Sequence, residues 1–180
     1  MTTVLYLLTG VAFLGAADTI YFHEWRARLP GMGRSARDEL RLHAYRDFVY
    51  AILFATLPWI AWQGPWAAVL VILLLTETFL TMWDFIVEDW IRKPLGGVYP
   101  GERVMHGILG IVFGAMLAVM VPVLMDWWRA PGGLMVEPVP IHPLFRLALG
   151  ILAAGVFLSG IRDLCSAYEV PGSAWPWKQD

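Results

Sequence analysis

Apolar residues gather along this chain in five blocks, separated by charges, glycine and proline: Thr3 to Phe22, Asp47 to Gln63, Trp66 to Val87, Val104 to Met125 and Leu144 to Ile161. Crossing a hydrocarbon layer about 30 Å thick takes about 20 mostly apolar residues in a helix, and all five blocks meet or approach that length. The second is short as purely apolar sequence. Ser35 followed by Asp38 reads as a capping box, however, so its helix is expected to start near Ala36 and project from the membrane before entering it. Pro58 should kink this helix near its far end, and Gly64-Pro65 should turn the chain tightly into the third block. The pattern predicts an all-α polytopic membrane bundle of five transmembrane helices. They would form one domain over 1–165, followed by a short cytoplasmic tail over 166–180.

Composition supports that class. Of 180 residues, 58% are hydrophobic and 16% charged, with mean hydropathy +0.60; a soluble domain carries about 25% charged residues. These figures exclude a disordered chain, a nucleic-acid-binding module and a secreted disulfide scaffold. The lipid bilayer is the first partner implied. A net charge of −2 suggests no polyanionic partner, and the single Cys165 permits no internal disulfide.

Charge placement orients the bundle. Arg26, Arg28, Arg34, Arg37, Arg41, Arg46, Arg92, Lys93, Arg103, Arg162 and Lys178 fall on one side, and only Arg129 and Arg146 on the other. The positive-inside rule then puts the N-terminus outside and the C-terminus in the cytoplasm of a plasma (inner) membrane. Gly15-Ala16-Ala17 imitates a signal-peptide cleavage site. The preceding Met1-Thr2-Thr3 is uncharged and six arginines follow, so the expectation is an uncleaved helix. Trp59, Trp62, Trp66, Trp127 and Trp128 mark the outer boundary; Trp25 and Trp90 mark the inner one.

The remaining polar residues are the informative ones. A carboxylate within the bilayer costs about 2.5–3.5 kcal/mol on insertion scales. Yet Asp18 lies in the first block, and Glu77, Thr81, Asp84 and Glu88 form one stripe along the third. Toward the cytoplasmic side, His23 and Glu24 close the first helix, Glu39, His43 and Asp47 recur every four residues on the second, and Glu102 and His106 open the fourth. Three of the four histidines thus share one layer, and His142 lies in an outer loop. Arginines in the inner connections are close in depth to Glu24, Asp89 and Asp163 and suit a boundary charge network, whereas Glu77, Asp84 and Asp18 have no arginine expected at their level. Gly107, Gly110, Gly114 and Ala118 form a small-residue ridge on the fourth helix to which Gly150 and Ala154 of the fifth could mate. Because the fifth helix is free of acids and histidines before Asp163, a core of the first four helices with a peripheral fifth is expected.

Carboxylates and imidazoles converging from four helices are a ligand set for iron, manganese or zinc. The expected ligands are His43, Glu77, Asp84, Glu88, Glu102 and His106. Asp18, His23, Glu24, Glu39 and Asp47 are alternative ligands or their supports. The layout resembles ferritin-like di-iron bundles, whose helices contribute Glu and Glu-x-x-His. Here Glu39–His43 and Glu102–His106 are spaced by four residues and not three, so the likeness is one of ligand chemistry and not of family. It implies a di-metal oxidoreductase acting on a lipid-like or quinone-like small molecule. The competing expectation is a non-catalytic membrane protein, a proton or ion relay or a subunit-interaction protein, whose acids and histidines form a charge network. Arg92-Lys93-Pro94-Leu95-Gly96-Gly97 lacks the spacing of a phosphate-binding loop and reads as a positive anchor.

Overall fold

The computed structural model describes Met1–Trp177; Lys178 lies outside the described residues. Helix α1 (Thr2–Asp18) continues without a break into a π-helical segment, Thr19–Arg26. Two 3-10 turns over Leu29–Ala36 lead to α2 (Arg37–Thr56), followed by strand β1 (Ile60–Trp62), α3 (Pro65–Ile91), α4 (Pro100–Arg129), strand β2 (Leu134–Val136) and α5 (Pro143–Ala167). Proline opens α3, α4 and α5 at the position whose N–H has no partner in a helix. Gly64 makes the tight entry into α3 with φ +59°, a conformation that favours glycine.

The all-α architecture holds, and four helices are long and apolar enough to cross a membrane: Thr2–Arg26, Pro65–Ile91, Pro100–Arg129 and Pro143–Ala167. Only 11% of the apolar windows of α4 and α5 is buried within the bundle. Ile72, Leu75, Phe79, Ile111, Leu147 and Leu158 are each more than half exposed. Water would not tolerate so much outward-facing apolar surface on a monomer, and lipid would. Helix α2 is not among the four, because charges crowd its first half.

Several local expectations change. Ser35 does not cap α2: its hydroxyl donates to the Met32 carbonyl, and the N-cap position is Ala36, with no side-chain bond. Pro58 does not kink the helix but lies beyond its end, where a residue without N–H cannot continue the ladder. The chain then forms β1, paired antiparallel to β2 with Ile60 opposite Val136 and Trp62 opposite Leu134. This ribbon ties the α2–α3 and α4–α5 connections at one end of the bundle, the strand end. The five outer tryptophans gather there, while Trp25 and Trp90 stand exposed at the opposite end.

The fifth helix is not peripheral. Its packing against α2 is the largest helix–helix interface, followed by that of α1 with α4. The small-residue ridge does not carry it: a Cβ on Gly107, Gly110, Gly114 or Gly150 would meet nothing within 4 Å. The close approach is at Gly160, where a Cβ would lie 2.9 Å from the Phe48 ring, 3.1 Å from the Ala44 carbonyl and 3.1 Å from Asp47 Cβ. Gly160→Ala is therefore expected to cost about 1–3 kcal/mol by overpacking, whereas Gly150→Ala is expected to be neutral or mildly stabilising. Thermal unfolding of the two variants in detergent checks the contrast.

Packing divides the bundle lengthwise. Leu5, Leu8, Leu53, Phe54, Leu70, Leu74, Met116, Met120 and Leu149 fill an apolar core toward the strand end. Nearly all the buried charge lies in the other half, the site end.

Candidate functional site

Two stripes with the same spacing build the floor of the site. On α3, Glu77, Thr81, Asp84 and Glu88 follow one another at intervals of four, three and four residues; on α2, Glu39, His43, Arg46 and Tyr50 do the same. At about 100° per residue each set stays on one face, and because the helices run antiparallel the two faces meet as a ladder. Tyr50 donates to Glu77 Oε1 at 2.9 Å, and Thr81 donates to the same oxygen at 2.7 Å. Arg46 bonds Asp84 at 2.8 Å and sits 3.6 Å from Glu77. At the far end Arg92 bonds Glu39 at 2.7 Å and Glu102 at 3.2 Å, with all three side chains fully buried.

The expectation that Glu77 and Asp84 lack an arginine at their depth is thus overturned. Arg46 supplies it, reaching inward along the α2–α3 seam. Asp18 differs, since its neighbours are imidazoles. Burial opposes the charge of the Arg92 guanidinium, but the hydrogen bonds and charge of Glu39, with help from Glu102, outweigh it and raise its pKa.

Asp18 and His23 reach the site through the π-helical winding. Five residues apart on an α-helix, they would point about 140° away from each other. The wider i→i+5 turn returns His23 almost above Asp18, with Nε2 3.5 Å from Asp18 Oδ2. The three histidines converge accordingly: the His23 and His43 rings stack with centroids 4.6 Å apart, and His106 meets His23 edge-on at 6.4 Å.

Their nitrogens face oxygens. His23 Nε2 lies 3.1 Å from Glu102 Oε1, His106 Nε2 lies 3.1 Å from Asp18 Oδ2, and His106 Nδ1 lies 3.3 Å from Glu88 Oε1. His43 Nε2 lies 3.3 Å from Asp84 Oδ2. Despite these distances neither nitrogen of His23 makes a hydrogen bond, nor does His43 Nε2. Asp18 Oδ1, Glu88 Oε2 and Glu102 Oε2 are likewise buried without a partner. Each such group ordinarily costs about 1–3 kcal/mol, so a cluster of them asks for an occupant. Atoms bound about 2.1 Å from one ion lie about 3.0–3.4 Å apart in octahedral or tetrahedral arrangements, a range that includes the His23–Glu102, His106–Asp18, His106–Glu88 and His43–Asp84 pairs.

Among the described residues, three groups offer donor atoms all within 4.8 Å of one another: Asp18, His23 and His106; His23, Glu39 and His43; and Glu88, Glu102 and His106. Of the six ligands expected from sequence, His43, Glu88, Glu102 and His106 belong to these groups. Glu77 and Asp84 stand beside them, held by Arg46, Tyr50 and Thr81. Asp18, His23 and Glu39, expected as alternatives, stand among the donors. Glu24 is elsewhere, bonded by Arg162 and by the Trp177 indole. Asp89 pairs loosely with Arg103 at 3.5 Å. Asp47 and Asp163 turn toward a cavity of about 470 Å³ that begins at Asp18, His23, His43 and His106 and extends among apolar side chains of α1, α4 and α5.

Comparison with models of protein families, with curated proteins and with solved structures yields no match to this chain.

Proposed function

We propose that the chain is an integral membrane metalloprotein whose carboxylate–histidine cluster holds two divalent ions, and that it acts as an oxidoreductase on a lipid-like or quinone-like molecule entering the adjoining cavity. The five helices would all span the membrane, with the N-terminus outside and the site near the cytoplasmic face, as the eleven-to-two distribution of Lys and Arg implies. One observation carries the metal assignment, the charge balance of the cluster. Asp18, Glu39, Glu77, Asp84, Glu88 and Glu102 are buried, with two guanidiniums against them, the buried Arg92 and the partly buried Arg46. With all six ionised, four negative charges remain over. Even three protonated imidazoles would leave one, whereas two divalent ions with neutral imidazoles offset all four.

Asp18, His23, Glu102 and His106 would hold one ion, and His43 with Glu39 the other. Glu88, on the opposite nitrogen of His106, fixes the orientation of that ring, as the partner of a ligating histidine commonly does. Carboxylate and imidazole donors suit iron or manganese, which supply one-electron chemistry when bound, and also zinc, which does not. The cavity lies against Asp18, His23, His43 and His106, so a substrate there would reach the ions without crossing water.

The arginine pairs favour a second reading, a non-catalytic network locking the helix ends. Arg92 with Glu39 and Glu102 fits it well, and it accounts less well for the orphaned atoms of His23 and Asp18. Metal addition separates the two. Protein stripped with chelator should gain stability on titration with Mn²⁺ or Zn²⁺, by about 2.7 kcal/mol at a hundredfold excess over Kd. A melting temperature insensitive to either ion would favour the network.

A further inference from the structure

The cavity opens sideways as well as inward. Helices α1 and α5 touch toward the strand end, where Tyr6 stacks on Phe145 with centroids 4.9 Å apart. Nearer the site the opening is flanked by the exposed Ala16 of α1 and Ile20 of the π-helical segment and by the exposed Ile151 and Gly155 of α5, all of which line the cavity. Those helices are two of the four suited to span a bilayer, so this mouth faces acyl chains. From Asp163 to Ile151 the cavity runs along twelve residues of α5, about 18 Å at 1.5 Å per residue. Its strand-end walls, including Val11, Phe113, Ile151 and Leu152, are apolar.

Its polar end has an acidic wall that the metal cluster does not use. Asp163 is 6% exposed, lines the cavity, and has no hydrogen bond or ion pair among the described residues. Asp47, across the close α2–α5 contact at Gly160, lines the same wall and likewise has no ion pair there. The basic groups nearest these acids are engaged elsewhere: Arg162 bonds Glu24 and the Trp175 carbonyl, and Arg46 and His43, which line the same cavity, face Asp84 at 2.8 and 3.3 Å. A buried carboxylate without a counter-charge is costly unless a ligand brings one. An apolar tunnel open to lipid and ending at one such group, Asp163, with the half-buried Asp47 beside it, is complementary to a chain with a positively charged head.

We propose that this cavity admits from the bilayer a single-chain amphiphile with a protonated amine head group, the head lying between Asp47 and Asp163 and the chain along Val11, Phe113, Ile151 and Leu152. The inference rests on reading the cavity as the substrate site and sharpens that reading to a chemical class. It does not require the ions, because neither aspartate belongs to the donor groups.

Photolabelling tests it. The protein, reconstituted in phosphatidylcholine nanodiscs, is irradiated with dodecylamine carrying a diazirine on its chain, or with the matching dodecanoate, and the labelled peptides are mapped by mass spectrometry. The amine should label the cavity-facing residues of α1 and α5, and excess unlabelled dodecylamine should suppress that labelling. The carboxylate should label them at least tenfold less. Asp47→Asn with Asp163→Asn should lower amine labelling at least tenfold while the protein stays monodisperse. Gly155→Phe, at a position where a side chain meets open space, should block the mouth and abolish labelling without changing metal content. Equal labelling by the two probes would overturn the proposal, as would amine labelling spread evenly over lipid-facing residues or indifferent to the aspartates. Metal content measured on the same samples tells failure here from failure of the metal centre, since amine labelling should persist after chelation.

Discussion

Replacing Arg92 with leucine should prevent accumulation of folded protein. The guanidinium is fully buried and bonds Glu39 through both Nε and Nη2, with a further bond from Nη2 to Glu102. Leucine fills similar space but leaves two fully buried carboxylates facing each other without the intervening charge. Removing one partner of a buried ion pair costs about 3–5 kcal/mol, a large share of the total stability of an ordinary domain. The loss should exceed that of any other single substitution named here, because Arg92 joins α2, the end of α3 and the start of α4. Arg92→Lys should recover part of it: the charge returns, but a lysine cannot present the planar fork that meets both oxygens of Glu39. Yield of monodisperse protein and its melting temperature in detergent measure both effects. Arg92→Leu as stable as the unmodified protein would show that Glu39 and Glu102 are not a charged pair held by arginine.

A second large effect is expected at the histidines, and it should be graded. His106→Ala removes a donor facing Asp18 and should abolish ion binding at that position. Glu88→Gln leaves the imidazole in place but weakens its orienting partner at 3.3 Å, and changes of that kind typically cost 10–100-fold in metal affinity. Glu77→Gln, by contrast, alters a carboxylate bonded by Tyr50 and Thr81 outside the donor groups and should leave affinity much less affected. Titration of stripped protein with Mn²⁺ or Zn²⁺ gives the three affinities. The ordering His106→Ala, then Glu88→Gln, then Glu77→Gln in severity is the prediction. A Glu77→Gln variant as impaired as His106→Ala would require a different set of ligands.

Much of the molecule was legible in the sequence because each signal has one dominant physical cause. The apolar blocks foretold the long helices, Gly64-Pro65 foretold a turn, and the spacing of Glu77, Thr81, Asp84 and Glu88 foretold a single buried face. The histidine layer was legible too, since His23, His43 and His106 all fall near helix ends on one side.

What escaped depends on geometry that average helical periodicity hides. The π-helical segment swings His23 onto the face of Asp18, whereas a uniform 100° step separates them. Arg46 and Tyr50 carried a usable signal, since with Glu39 and His43 they repeat the four-three-four spacing of the α3 stripe. The four-residue run Glu39, His43, Asp47 drew attention away from them, and Asp47 in fact turns toward α5. The intimacy of α2 and α5 rests on Gly160 alone among the glycines of α5 with a close neighbour, and a sequence full of small residues does not single it out. Strands β1 and β2 are three residues each, too short to leave a periodic trace.

Whether metal balances the buried excess of carboxylate can be read from the metal content of the protein as isolated, purified without chelators and measured by mass spectrometry beside a His106→Ala sample. About two divalent ions per chain are expected, as in two-ion sites generally, with clear loss in the variant. Content far below one ion per chain, unchanged by the substitution, would contradict it.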